Sequence, residues 1–244
     1  MTVELAMTDI GTGSYTILTQ VAAETMELPV DRVTVRLGDT NFPPTDGSGG
    51  SWGAATSGAA VLAACRKLKG GLSSGIKEAE GSVTPADLDN SYAHDAFGAH
   101  FAEVGVHRDT GEVRVRRMLG VFAAGRILNA KTARSQMIGG MIWGIGAALM
   151  EENEVDLRYG SFINQDLASY HVPVNADLGA IDAVLLDEAD PHGSPLGSKG
   201  LGELGICGAG AAVINAIHNA TGARIRDFPA TPDKLLAALE ALDG

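Results

Sequence analysis

Hydrophobic and polar residues alternate from the first positions of the chain, where Thr2-Val3-Glu4-Leu5-Ala6 has the period of a strand. A turn-rich stretch from Thr8 to Ser14 follows. Ile17, Leu18, Val21, Ala22 and Thr25 then recur at helical spacing across Tyr15 to Glu27, and Pro29 is expected to end that helix. Val33, Val35 and Leu37 alternate with Thr34 and Arg36 as a half-buried strand, and Ala54 to Leu68 reads as an Ala-rich helix. Ser73 to Asp95 carries no strong pattern. The alternating arms His100 to Arg108 and Glu112 to Val121 flank Asp109-Thr110-Gly111 and predict a hairpin. A long helix is predicted from about Lys131 to Glu152, strands over Phe162 to Tyr170, Ile181 to Leu186 and Ala223 to Arg226, and an Ala/Gly-rich helix from Glu203 that ends before Gly222. The last helix takes Thr231 as its cap, Pro232 at its first position and Leu235, Leu236 and Leu239 on one face. Strands and helices mix without strict alternation. The expected class is therefore α+β, with 1–244 forming one domain or two small subdomains.

Composition narrows the function classes. A formal charge of −12 and a pI near 4.8 argue against nucleic acid or an anionic membrane as partner, since both are gripped by clustered Lys and Arg. Arg114, Arg116 and Arg117 are read as a solvated strand face. The apolar run Ile138 to Met150 is interrupted by Gly139, Gly140, Gly144 and Gly146 and is too short to span a bilayer, so a buried, closely packed helix is expected. Cys65 and Cys207 sit among Ala and Gly and are expected to be small buried fillers in a reducing compartment. His94, His100, His107, His171, His192 and His218 show no metal-ligand spacing, so no side-chain metal site is predicted. Cytoplasmic location is the default expectation; export as a complex through a partner's signal is compatible with it.

Three Gly-rich loops carry the candidate chemistry: Asp9 to Ser14, Asp46 to Gly53, and Gly197 to Gly210. Glycines and small hydroxyl residues let backbone N–H groups approach an anion, and each loop opens a helix whose N-terminal dipole favours negative charge. Together they point to a large phosphate-bearing ligand. Taken singly, each is a helix-entry turn. The third contains Gly200-Leu201-Gly202-Glu203-Leu204-Gly205, which matches the dinucleotide fingerprint with Asp227 downstream. That nicotinamide reading is the minor alternative, because more than ten loop residues separate Gly200 from the strand that should precede it.

The ordered series Asp9-Ile10-Gly11-Thr12-Gly13 with Tyr15-Thr16; Val33 to Asp39 with Gly49-Gly50-Ser51; Gly98 to Val104; Gly125 to Asn129; Gly139-Gly140 through Gly146; and Gly197-Ser198-Lys199-Gly200-Leu201-Gly202-Glu203 resembles the C-terminal half of the molybdenum-cofactor-binding large subunit of the xanthine dehydrogenase and aldehyde oxidase family. The resemblance implies hydroxylation of an aldehyde or N-heteroaromatic small molecule with water as oxygen source, and it places Glu203 as the general base. A positioned carboxylate beside the reacting atoms is the residue type that can take the proton. It further implies that Gly11, Thr12, Gly13, Gly49, Gly50, Ser51, Trp143, Ser198, Lys199, Gly200 and Gly202 contact the cofactor. That cofactor is molybdopterin with molybdenum, with or without a cytosine dinucleotide extension, held by the pterin's dithiolene so that no protein side chain need ligate the metal. The sequence departs from many relatives at Thr12 and at Trp143, where a glutamine is common. His100 is read as a structural histidine.

Further expectations concern partners. Two cysteines are too few for an iron–sulfur cluster, so the resemblance places iron–sulfur and FAD groups on partner subunits and much of the substrate pocket on the other half of the large subunit. The rival reading from a different class is a non-catalytic fragment that keeps the fold but binds no cofactor alone.

Overall fold

The computed structural model describes residues 1–84 and 91–243, so residues 85–90 of the unpatterned stretch lie outside the described residues. The chain divides into two compact units. The first comprises Met1–Phe97, Phe122–Gln136 and Leu185–Glu203; the second comprises Gly98–Val121, Met137–Val184 and Leu204–Gly244.

In the first unit β1 (Thr2–Leu5), α1 (Ser14–Met26) and β2 (Thr34–Leu37) form a βαβ unit, with β1 and β2 parallel in the register Thr2↔Thr34 to Leu5↔Leu37. Helix α1 ends earlier than Pro29 would require. Glu27 takes a left-handed conformation (φ 56°), and Leu28 N–H closes the turn on Ala23 O at 2.9 Å. The next helix, α2 (Gly53–Gly71), runs past the predicted Ala54 to Leu68 at both ends. Leu18, Val21 and Ala22 of α1 meet Val61, Leu62 and Cys65 of α2 over Leu5, Met7, Val33 and Leu196. Burying one such side chain contributes about 1.5–3 kcal/mol. Small residues on α2 allow close approach, as at Gly58, where a Cβ would fall 2.8 Å from Leu196 Cδ1.

The second unit holds most of the predicted hairpin, β3 (Phe97–Val106) and β4 (Val113–Ala123), closed by His107 N–H to Glu112 O and Gly111 N–H to His107 O at 2.9 Å each. With β7 (Leu178–Leu185) these strands form a sheet in the order β3-β4-β7. Arg114, Arg116 and Arg117 are exposed on β4, and Arg117 pairs with Glu103. Most of α3 (Ala130–Leu149) belongs here, with Met137, Met141, Ile145 and Ala148 fully buried. The predicted close packing occurs at Gly140: a Cβ there would lie 2.8 Å from Ile206 N, in the short helix α4 (Leu204–Cys207). Helix α5 (Ala209–Thr221) buries Val213, Ile214 and Ile217 and ends on Gly222 at φ 79°. The final helix, α6 (Pro232–Asp243), begins at the predicted proline.

Several expectations are corrected. The single helix after Glu203 is broken at Gly208 into α4 and α5. The strand predicted over Phe162 to Tyr170 reduces to β6 (Ser161–Phe162), paired antiparallel with β5 (Val155–Asp156). Beyond it the Asp166 carboxylate accepts from Ala168 N, Ser169 N and Ser169 Oγ, which bends the chain out of extended conformation. Ala223 to Arg226 is not a strand; Ala223 and Ile225 are buried with strand-like alternation, but no neighbouring strand pairs with them among the described residues. Cys65 is buried as expected, whereas Cys207, in the last turn of α4, is exposed. No described helix is long and apolar enough to cross a membrane.

Candidate functional site

The first Gly-rich loop is organised by Asp9. Its Oδ1 accepts from Gly11 N (2.9 Å) and Gly13 N (3.3 Å), and its Oδ2 accepts from Tyr15 N (3.2 Å). Burial alone would raise the Asp9 carboxyl, but the N–H groups of Gly11, Tyr15, Gly13 and Ser14 together outweigh it and hold its pKa below the ordinary carboxylate range. Wrapping backbone around one carboxylate requires left-handed geometry at Gly11 (φ 100°) and Gly13 (φ 92°), which only glycine adopts freely. A Cβ at Gly13 would also fall 3.0 Å from Thr132 Cγ2, whereas the space beside Gly11 is open. The loop thus delivers the start of α1, whose first turn carries no acidic residue.

The second loop is tied to the first through Thr8 and Ser48: Thr8 Oγ1 donates to Ser48 Oγ at 3.3 Å and Ser48 Oγ donates to Thr8 O. Gly50 (φ 49°) lies under the Trp52 ring, where a Cβ would collide. Ser51 is left-handed at φ 62° without being glycine, a conformation costing about 1–2 kcal/mol that has to be over-determined by its surroundings. Its surroundings are Glu203: Ser51 Oγ donates to Glu203 Oε2 and accepts from Glu203 N, both at 2.9 Å.

The third loop is held from behind by Ala124 to Arg126. Arg126 N donates to Gly197 O (2.6 Å), Lys199 N donates to Ala124 O (2.9 Å), and Gly125 N donates to Glu188 Oε1 (2.9 Å). Gly200 packs so closely on the second loop that a Cβ would fall 2.7 Å from Ser51 O. Asp190 anchors the approach by accepting from His192 N and Gly193 N. The first of these bonds does most to lower its pKa; burial opposes, and Gly193 N–H and the charges of Lys199 and His94 add to the lowering. Between the second and third loops lies a cavity of about 300 Å³ lined by Gly50, Ser51, Ser198, Lys199 and Asp190. Ser198, only 4% exposed, presents an Oγ without a hydrogen-bond partner among the described residues. Lys199 Nζ lies 3.7 Å from Glu188 and 6.0 Å from the centre of the Phe97 ring.

Of the residues singled out from sequence, Gly11, Thr12, Gly13, Gly49, Gly50, Ser51, Ser198, Lys199, Gly200, Gly202 and Glu203 all belong to the first unit, on three loops linked by Thr8–Ser48 and Ser51–Glu203. Trp143 belongs to the second unit, on α3, and at 62% exposure it is no core aromatic. Glu203 is exposed. His100 Nε2 lies 3.0 Å from Gly205 O and its ring lies against Gly208, as a structural histidine should. Sequence reasoning passed over Asp9, Glu188 and Asp190 as site residues. Asp9 had a signal, an Asp two residues before the first of two glycines in a turn; Glu188 and Asp190 had none local to them. Among the described residues no three His, Cys, Asp or Glu side chains are grouped to hold a metal ion.

The residues fit a cofactor rich in hydrogen-bonding groups: an orphaned buried hydroxyl at Ser198, and loops whose glycines bring backbone close together. Comparison with known proteins agrees. The model of the molybdopterin cofactor-binding domain matches residues 1–93 and 77–179. The chain is 51% identical to the aldehyde oxidoreductase molybdenum-binding subunit PaoC of Escherichia coli strain K12, over 98% of this chain and 37% of that protein. It is 28% identical to the 6-hydroxypseudooxynicotine dehydrogenase complex subunit gamma of Paenarthrobacter nicotinovorans, over 100% of this chain and 36% of that one. Among solved structures, the aldehyde oxidoreductase from Desulfovibrio gigas superposes with a TM-score of 0.85 at 27% identity, over 98% of this chain and 29% of that chain. The Cu,Mo-CO dehydrogenase gives a TM-score of 0.84 at 21% identity, over 98% and 36%, a likeness of fold. The chain therefore spans between 29% and 37% of the length of these relatives. With the family's model matching most of its length and a relative 51% identical over 98% of it, the chain belongs to the molybdopterin cofactor-binding domain family, in the xanthine dehydrogenase and aldehyde oxidase group of molybdenum oxidoreductases.

Proposed function

We propose that this chain carries the general base of a molybdenum hydroxylase acting on an aldehyde or N-heteroaromatic substrate, with water as the oxygen source and Glu203 as the base. The observation that carries the reading is the reciprocal Ser51–Glu203 pair at the meeting of Gly-rich loops. Molybdopterin, when bound, would supply the oxygen-transfer and two-electron chemistry. Ser198 and the backbone of Gly11 to Gly13, Gly49 to Ser51 and Gly200 to Gly202 would hold it, and Lys199 would border it. The chain's own part is to place a carboxylate. Ser51 holds Glu203 Oε2 and the Glu203 N–H at once, which removes rotamers from a flexible side chain and leaves it oriented to accept a proton from the attacking oxygen. The rest of the large subunit would bury that exposed carboxylate, and the pterin is taken with or without its cytosine dinucleotide extension. Iron–sulfur and FAD groups on partner subunits would carry electrons away.

Glu203→Gln in the assembled enzyme tests this. It should retain molybdenum and lose turnover by roughly 10²–10⁴-fold, the usual contribution of a positioned base. Unchanged turnover in molybdenum-loaded Glu203→Gln would refute the assignment. Protein that stays metal-free and inactive with all partners present would favour the non-catalytic reading. The nicotinamide alternative draws no support from geometry: Gly200 to Gly205 leads into a four-residue helix and follows a loop, not a strand.

A further inference from the structure

We propose that a cleft beside the later turns of α1 and α2 binds an oxyanion of the phosphate class, inorganic phosphate or a phosphomonoester, on the guanidinium groups of Arg66 and Arg126. The cleft, of about 530 Å³, is lined by residues of the first unit alone. It stands apart from the cofactor loops, which open α1 and α2 at their N-terminal ends; Ser14 to Glu24 alone spans roughly 15 Å of helix. Helical spacing builds its sides. Val21, Glu24 and Thr25 share one face of α1, and Leu62, Arg66 and Lys69 share one face of α2. Arg126 and the Pro195–Leu196 segment complete the lining. The apolar floor is nearly covered, with Val21 4%, Leu62 8% and Leu196 6% exposed, so the surface a ligand meets is that of the charged side chains.

Those charges do not balance within the chain. The whole sequence carries a formal −12, yet this cleft sets Arg66, Lys69 and Arg126 against Glu24. Lys69 is accounted for locally: in the last turn of α2, where the helix dipole favours a cation, its Nζ donates to Thr25 O (3.2 Å) and to Glu27 Oε1 (2.7 Å). Arg126 gives one nitrogen, Nη2, to both Glu24 oxygens (2.8 and 2.7 Å), which leaves its Nε and Nη1 donors without a partner among the described residues. Arg66 lies before the last turn of α2 and forms no hydrogen bond or ion pair with any described residue. Arginine presents its donors in a planar fork that matches two oxygens of one phosphate. Two forks with open donors on one cleft, over an apolar floor, suit an anion with several charged oxygens. The volume of about 530 Å³ far exceeds the roughly 30 Å³ of a water molecule, so an ester substituent has room beside the anion. Arg126 also donates through its backbone N–H to Gly197 O at 2.6 Å, and an anion on its side chain would tie α2 to the segment that supports the third loop.

Titration of the 244-residue chain with inorganic phosphate and with glycerol 3-phosphate at constant ionic strength tests the proposal, followed by calorimetry and through the Nε–H NMR signals of its arginines. Both anions should saturate a single site and shift the Arg66 and Arg126 signals together. Arg66→Ala should weaken binding by about tenfold, and Arg66→Lys by less, because lysine keeps the charge and loses the fork. Arg32→Ala, outside the cleft, should leave the affinity unchanged. Tighter binding of the ester would identify a phosphomonoester as the ligand, and equal affinities would identify phosphate itself; both results support the site. Shifts that never saturate, that sodium chloride reproduces at equal ionic strength, or that persist with equal affinity in Arg66→Ala would overturn it. If the chain binds neither anion and Arg66→Ala loses assembly with partner subunits, the cleft belongs to an acidic partner surface and the proposal fails. None of these outcomes bears on Glu203, whose test is turnover of the molybdenum-loaded enzyme.

Discussion

Replacing Asp9 with alanine isolates what the first Gly-rich loop owes to one carboxylate. The side chain accepts from Gly11 N, Gly13 N and Tyr15 N, so Asp9→Ala leaves those backbone donors to solvent. Hydrogen bonds to a charged group contribute about 1.5–3 kcal/mol each when buried. Here the carboxylate is only half-buried and the released N–H groups can reach water, so the scale is that of a lost helix N-cap, about 0.5–2 kcal/mol. With a urea m-value of about 1–3 kcal/mol/M, the midpoint should fall by roughly 0.2–2 M. The pH dependence has a definite sign. Because the folded pKa of Asp9 lies below its unfolded value, its contribution is fully present above the unfolded pKa and is lost as pH falls through the folded one. Urea titrations of wild type and Asp9→Ala should therefore differ by a constant amount from pH 8 down to about 5, and the gap should close in stronger acid. Asp9→Asn keeps an acceptor oxygen without the charge and should fall between the two. A gap below about 0.3 kcal/mol at pH 7, or one that persists unchanged in acid, would refute the claim that this carboxylate organises the loop.

Other substitutions separate stability from function. Ser51→Gly relieves a left-handed residue while removing both bonds to Glu203, so it should gain up to about 1 kcal/mol in denaturation. The same variant should lose on the order of tenfold in kcat in the assembled enzyme; equal or higher kcat would show that Ser51 does not position the carboxylate. Ser51→Ala should lose turnover similarly without the stability gain. Gly139 and Gly140 are neighbours on α3 with opposite surroundings. Gly139→Ala, facing open space, should stabilise by up to about 1 kcal/mol through helix propensity. Gly140→Ala, whose Cβ would press on the Gly205–Ile206 backbone, should destabilise by about 1–3 kcal/mol; thermal unfolding of the pair decides it, and equal shifts would contradict the close helix contact.

Much of the fold was legible from periodicity, because the strands and helices that bury one face announce it in sequence. The period-two alternation of Thr2 to Leu5 and of the β3–β4 hairpin, and the helical recurrence of Leu18, Val21 and Ala22, each became the predicted element. Periodicity failed where side chains compete with the ladder or where a ladder needs a distant neighbour. Asp166 bends what alternation alone makes a strand, and Ala223 to Arg226 alternates without a strand to pair with among the described residues. Gly208 splits a helix that composition alone would continue.

Residue type and order along the chain named most of the loops of the candidate site, though not Asp9, Glu188 or Asp190 as members of it. Clustered glycines with hydroxyl and acidic neighbours are local in the chain, and their use, backbone approach to a ligand, depends on residue type. Tertiary structure decided how they act. Ser51 and Glu203 are 152 positions apart, and only folding shows that one hydroxyl holds both the amide and the carboxylate of the other. It also set the support behind them: Asp9 under the first loop, Glu188 on Gly125, and a buried Ser198 hydroxyl without a partner among the described residues. The reason is that hydrogen bonds and close backbone contacts between distant segments depend on positions to within a few tenths of an ångström. A linear pattern specifies which face is buried, and it carries no such distances.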